Sequence, residues 1–301
     1  MAASVILHHY PTSPFSEKVR LVLGLKGLDW AAVVQPVIMP KPELTALTGG
    51  YRRIPVMQIG ADVFCDSAVI IDEIERRFPD PPVARPGDFA VAAFADRMLF
   101  QPTVALVFGA LGAAVDPAFA KDREALSGRQ FDAAAMKAAG PFALAQYRAA
   151  LAAIEDGLAG GDFLGGAAAC LADISLYMDV WFYAAFAPEP FGAAVKGFAQ
   201  VQAWRARVAA IGHGRSSEMS REAALDIARD ARPVVSGEVD DPLGLEAGDA
   251  VSVAADDYGR DPIRGRLAAL DARRVTLLRE DSRVGEVSVT FPRAGFVVTA
   301  G

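Results

Sequence analysis

Cysteine is nearly absent. Cys65 and Cys170 are the only two in 301 residues, and they lie far apart. That argues against a disulfide framework and for a reducing compartment, so the chain is expected in the cytoplasm. Histidine is scarce as well, with only His8, His9 and His213. Neighbours on a strand point to opposite faces, so His8 and His9 cannot chelate together, and no metal site is expected. No long basic run occurs, and the formal net charge of -7 speaks against nucleic acid as a partner. The opening Met1-Ala2-Ala3-Ser4 lacks the basic region of a secretory leader and passes at once into a strand-like run. One apolar stretch, 98–115, approaches the roughly 20 residues of a membrane span. It contains Gln101, Pro102 and Thr103 and directly follows Asp96-Arg97. A buried helix is therefore expected there, with no membrane partner.

What is present falls into three zones. From residue 4 to 79, short apolar runs alternate with helical patterns: strands at 4–8, 30–35, 55–59 and 62–65, helices at 14–27 and 67–78. This predicts a small α/β domain over 1–79. Pro79-Asp80-Pro81-Pro82-Val83-Ala84-Arg85-Pro86 cannot continue a helix and marks a linker over 80–88. Over 89–231, apolar residues recur at helical spacing, as in Phe94, Met98, Gln101 and Ala105 or Tyr147, Leu151, Ile154 and Leu158. An all-helical domain is expected there. From 236 to 301, about five short β-type runs separated by Asp-, Gly- and Pro-bearing turns predict a small barrel or sandwich. Its acidic residues Asp249, Asp256, Asp257 and Asp261 read as turn and solvated-face residues, since their spacing does not match a calcium loop.

The stretch richest in chemistry is Tyr10-Pro11-Thr12-Ser13-Pro14-Phe15-Ser16-Glu17-Lys18-Val19-Arg20. It joins the apolar run Val5-Ile6-Leu7 to a helical run beginning at Val19. Pro14 suits the first helical position, which makes Ser13 the N-cap. A hydroxyl then stands at a helix N-terminus, where free N–H groups and the helix dipole favour an anion.

Four segments in this order resemble the glutathione S-transferase superfamily, over residues 4 to 231. Ser13-Pro14-Phe15 with Lys18-Val19-Arg20 is similar to the serine and cysteine classes, including the zeta- and omega-like N-terminal motif. Arg53-Ile54-Pro55-Val56 resembles the Val-Pro segment whose proline is cis throughout the thioredoxin-like fold. Asp66-Ser67 resembles the acidic-Ser pair that holds the γ-glutamyl end of glutathione. Leu171-Ala172-Asp173-Ile174 resembles the capping segment of the helical domain, although Cys170 stands where the family usually has Ser or Thr.

The resemblance implies glutathione as co-substrate and a homodimer. It implies Ser13 as the catalytic hydroxyl, donating to the glutathione sulfur so that more of it is thiolate near neutral pH. Ile54 and Pro55 would present a backbone edge to the cysteinyl part, Asp66 and Ser67 would meet the γ-glutamyl amine and carboxylate, and Arg53 would take a carboxylate. Cys65, one residue before Asp66, reads as packed and inert. The expected reaction is attack of the thiolate on a small apolar electrophile, in a conjugation or an isomerisation, against a wall of Phe94, Met98 and Leu99. The alternative is a non-catalytic scaffold on the same fold, with the added β-rich segment binding a protein partner.

Overall fold

A computed structural model describes residues 4–240, 242 and 244–301. The reading of Met1-Ala2-Ala3 lies outside the described residues. The N-terminal part is thioredoxin-like. Strand β1 (Val5–His9) leads into helix α1 (Pro14–Leu25), β2 (Asp29–Val34), α2 (Pro42–Thr48), the hairpin β3 (Val56–Ile59) and β4 (Asp62–Cys65), and α3 (Ser67–Arg77). β1 runs parallel to β2 and antiparallel to β3, and β3 runs antiparallel to β4. β1 is apolar on both faces because helices cover each side. α1 and α3 pack on one face with Val19, Leu23, Ile70 and Ile74; on the other, α2 covers β3 and β4 with Leu44 and Leu47, and Ile6 of β1 packs with Ala224.

The helical part begins at Asp88. α4 (Asp88–Ala93), a π-helical turn (Phe94–Leu99) and α5 (Phe100–Leu111) form one long rod. α6 (Pro117–Ser127), α7 (Ala133–Ala138), α8 (Gly140–Gly157), α9 (Leu171–Phe186), α10 (Pro188–Ala194) and α11 (Ala199–Ala209) follow. The rod is long and apolar enough to cross a membrane by composition, but a third of its apolar window is buried within the protein. It also carries Asp96, whose carboxylate receives Lys18 from α1 at 2.8 Å through both oxygens. α9 runs through the centre of this part. Asp173 accepts from the Cys170 N–H at 3.0 Å, the Leu164 N–H at 2.8 Å and the Trp204 indole at 2.7 Å. The capping box is present with Cys170 in place of a Ser or Thr, and these further donors to Asp173 anchor the helix start.

The expected all-helical span contains a strand. β5 (Arg215–Glu218) pairs parallel with β2 at the sheet edge, and α12 (Arg221–Arg229) then packs beneath the sheet against α2. The C-terminal strands are β6 (Ala250–Ala255), β7 (Ile263–Leu270), β8 (Arg274–Asp281), β9 (Gly285–Pro292) and β10 (Phe296–Ala300). They pair antiparallel among themselves. They are also continuous with the N-terminal sheet, because β9 pairs parallel with β4 from Asp62↔Ser288 to Phe64↔Thr290. The result is one ten-stranded sheet in the order β10-β6-β7-β8-β9-β4-β3-β1-β2-β5. One apolar core joins Leu44, Leu47, Tyr51 and Val63 to Val287, Val289 and Phe291.

Candidate functional site

Sheet register places the sequence-predicted residues at one rim. His8 of β1 lies opposite Val56 of β3, and Val56 lies opposite Cys65 of β4. The segments just past those pairs, Tyr10 to Ser13, Ile54-Pro55 and Asp66-Ser67, therefore meet at the same end of the sheet. The Ile54–Pro55 peptide bond is cis, and the Ile54 N–H and C=O have no backbone partner among the described residues. An edge of that kind can accept an extended peptide.

Ser13 is the N-cap of α1. Its Oγ accepts from the Ser16 N–H at 3.1 Å, a bond that does not use the hydroxyl proton; the residue is 2% exposed, and the Tyr10 phenol lies within reach of that proton. The turn before it is held from below by Arg20, which reaches the Tyr10 and Pro11 carbonyls at 3.4 and 3.0 Å and pairs with Glu17 at 2.7 Å. Hence the charged residues of Glu17-Lys18-Val19-Arg20 are buried and occupied. Arg20 fixes the Ser13 turn, and Lys18 ties α1 to Asp96 of the rod.

Asp66 is the one non-glycine residue among those described with positive φ, at 97°. Such strain persists where surroundings enforce it, often at a binding site. Its carboxylate accepts from the Ala68 N–H at 2.9 Å and caps α3, while Ser67 is buried as the first helical residue. Burial raises the Asp66 carboxyl pKa above the ordinary carboxylate value, with Asp96 adding to the rise and Arg53 and Lys18 opposing it. Cys65 is fully buried, and desolvation pushes its thiol far up, which makes it inert.

Several residues at this rim were not legible as site residues. Lys41, buried between Pro40 and Pro42, stands 5.7 Å from the centre of the Tyr10 ring. Desolvation, with Arg123 and Arg52 nearby, lowers its pKa to about 8. The Tyr10 phenol lies within reach of both Ser13 and Arg123 of α6, and burial raises its pKa. A basic residue between two prolines is a signal the sequence did offer. Arg123 offers none, since it comes to the rim from a distant helix of the other part of the chain.

Arg53 is neither free nor solvated. Its guanidinium pairs with Asp257 and stacks on the Tyr258 ring, 3.9 Å from its centre. Asp256 pairs with Arg97 of the π-helical turn at 2.8 Å. The β6–β7 turn, expected to be a solvated surface, thus reaches the rim. Tyr258 is half-buried there, and desolvation raises its pKa to about 12, opposed by Arg53 and reinforced by Asp257, Asp66 and Tyr10. Two guanidinium N–H groups, Arg53 Nε and Arg123 Nε, are buried without a partner among the described residues. These two N–H groups are donors that an anionic ligand could satisfy.

The expected apolar wall is built differently. Leu99 belongs to the core, whereas Phe94 and Met98 are exposed. The ring that meets Phe15, two residues after Ser13, is Phe100 at 4.9 Å. Phe100 continues to Phe182, Phe182 to Phe108, and Phe108 to Phe119 and Phe131.

Comparison with known proteins agrees with this fold. A model of the glutathione S-transferase N-terminal domain matches residues 7–82, and one of a domain of unknown function matches 103–215. A glutathione S-transferase-like protein from Pseudomonas syringae is 39% identical, with a TM-score of 0.77 over 98% of this chain and 100% of that one. A probable glutathione S-transferase of Solanum tuberosum is 30% identical over 84 residues, 27% of this chain and 39% of that protein. Glutathione S-transferase U4 of Arabidopsis thaliana is 25% identical over 71 residues, 24% of this chain and 32% of that protein. These matches span only 32% and 39% of the plant proteins' own length. The chain belongs to the glutathione S-transferase superfamily. Its β-rich C-terminal segment is shared with the bacterial protein, whose whole length it covers.

Proposed function

We propose that this protein is a glutathione S-transferase that binds glutathione at the rim formed by Ser13, Ile54-Pro55 and Asp66-Ser67. The observation that carries this reading is the convergence of a hydroxyl N-cap, an unpaired backbone edge and a strained acidic cap of a second helix. Glutathione supplies the thiol. Ser13 donates its proton to the sulfur, and the N-terminus of α1 favours the anion. Ile54 holds the cysteinyl backbone, and Ser67 with the first N–H groups of α3 holds the γ-glutamyl carboxylate. Asp66 faces its amine, and Arg53 and Lys41 supply charge for carboxylates. The aromatic series beginning with Phe15 and Phe100 receives an apolar electrophile, in a conjugation or an isomerisation. Exposed Phe89 and Met98 on the long rod offer an apolar face for a second copy, consistent with a cytoplasmic homodimer.

One observation favours a second reading, a non-catalytic scaffold that uses its β-rich segment to bind a protein: Arg53 is already engaged by Asp257. Titration calorimetry with glutathione separates the two. Binding at or below millimolar concentration is expected for the transferase. Heat no different from buffer at that concentration leaves the scaffold.

A further inference from the structure

The β6–β7 turn crosses the cleft between the thioredoxin-like and helical parts and is fastened at three points. Asp257 pairs with Arg53, Asp256 pairs with Arg97, and the Gly259 N–H donates to the Leu126 carbonyl of α6 at 2.7 Å. Gly259 has φ +57°, and a Cβ there would stand 2.8 Å from Leu126 Cδ1 and 3.2 Å from Arg53 Nε. The turn therefore lies close against the guanidinium, and its positive φ favours glycine.

The Arg53 pairing is incomplete. Asp257 engages Nη2 alone, while Nε is buried with no partner among the described residues. A carboxylate arriving from solution could take both nitrogens in the fork geometry that guanidinium favours. The Asp257 side chain thus stands where a ligand carboxylate would bind better. Tyr258 is stacked on Arg53, and Asp66 and Tyr10 are close enough to act on its phenol.

We propose that the Asp256–Gly259 turn is an intramolecular strap, with Asp257 as a carboxylate surrogate on Arg53, and that it must swing away before a carboxylate-bearing thiol can enter. The strap makes apparent ligand affinity depend on the fraction of molecules in which it is open. It also gives the C-terminal strands a role at the site, as the frame that aims the turn. The proposal rests on the glutathione reading only for the identity of the ligand.

A test independent of any ligand uses the full-length Ser13→Cys variant as an accessibility reporter, since Cys65 and Cys170 are 0% and 1% exposed. Iodoacetamide alkylation of the introduced thiol, followed by mass spectrometry, reads how often the rim is uncovered. Adding Asp257→Asn or Tyr258→Ala should speed alkylation about tenfold. Equal rates in all three proteins would overturn the strap. In a second arm, glutathione affinity is measured in Asp257→Asn with Ser13 intact, and about tenfold tighter binding is expected. Weaker binding than in the unaltered protein would also overturn the strap, by making the turn part of the ligand site. Faster alkylation with no glutathione binding in any variant would retain the strap and remove the glutathione reading.

Discussion

Replacing Phe291 by alanine should loosen both ends of the sheet together. Phe291 lies on β9 and is fully buried, with the Tyr51 ring at 5.7 Å and the Phe296 ring at 5.3 Å, and those two rings are themselves 6.3 Å apart. Tyr51 belongs to the thioredoxin-like part and Phe296 to the last strand, so one side chain bridges the two halves of a shared core. Truncating a buried phenylalanine costs about 3–5 kcal/mol, from lost transfer energy and the cavity left behind. A domain's whole stability is about 5–15 kcal/mol, so the variant should still fold. Amides that exchange only on global opening should speed up roughly a hundred- to a few-thousand-fold. Hydrogen exchange read by mass spectrometry on peptides covering β3–β4 and β8–β9 reports both regions at once. The reasoning holds if both peptides accelerate by the same factor. Acceleration confined to 250–301, with β3–β4 unchanged, would refute it and make the C-terminal strands an independent unit.

Asp96→Ala should cost about 3–5 kcal/mol in urea unfolding, toward the lower figure because Asp96 is partly open, since it strands the buried Lys18 ammonium. A loss below about 1 kcal/mol would mark the pair as a surface-type contact. Stability should fall in two stages on acidification. Burial holds the pKa values of His8 and His9 at about 4, against an ordinary value of 6.5. Neutral imidazole is thus favoured in the fold, and this contribution is present above pH 6.5 and is lost as pH falls toward 4. Burial tends to raise the pKa of Glu73, but pairing with Arg76, Arg274 and Arg77 overrides this and lowers it from 4.5 to about 2. Its contribution is present above 4.5 and is lost as pH falls through about 2, so Glu73→Gln should flatten only this second, lower limb of the pH–stability curve.

The sequence made the local pieces of the site legible, because each has a short-range cause. Pro14 after Ser13 announces a helix start, and Asp66-Ser67 between an apolar run and Ala68-Val69-Ile70 announces another. The five C-terminal runs were visible from their β-branched residues and turns, and they fall within β6 to β10. What stayed hidden was pairing at a distance. Nothing in Val63-Phe64 or Val289-Thr290 states that β4 and β9 are neighbours, because any apolar run could fill that place. β5, Arg-Ser-Ser-Glu, is exposed at every position, so no periodicity betrays an edge strand. Asp256-Asp257-Tyr258-Gly259 has the composition of a solvated turn. Only the fold shows that two of its carboxylates meet Arg97 and Arg53. The tyrosine at its tip was the one local hint, since an aromatic ring in a polar turn usually has something to pack on.

The central claim is that the N-terminus of α1 and the Ser13 hydroxyl stabilise a bound thiolate. Ultraviolet thiolate absorbance of glutathione in the complex, followed as a function of pH in the native protein and in Ser13→Ala, tests it directly. The bound thiol is predicted to titrate about one unit or more below the ordinary value of about 8.5, and to move back up when the hydroxyl is removed. Identical titration curves for bound and free glutathione, or for the two proteins, would contradict it.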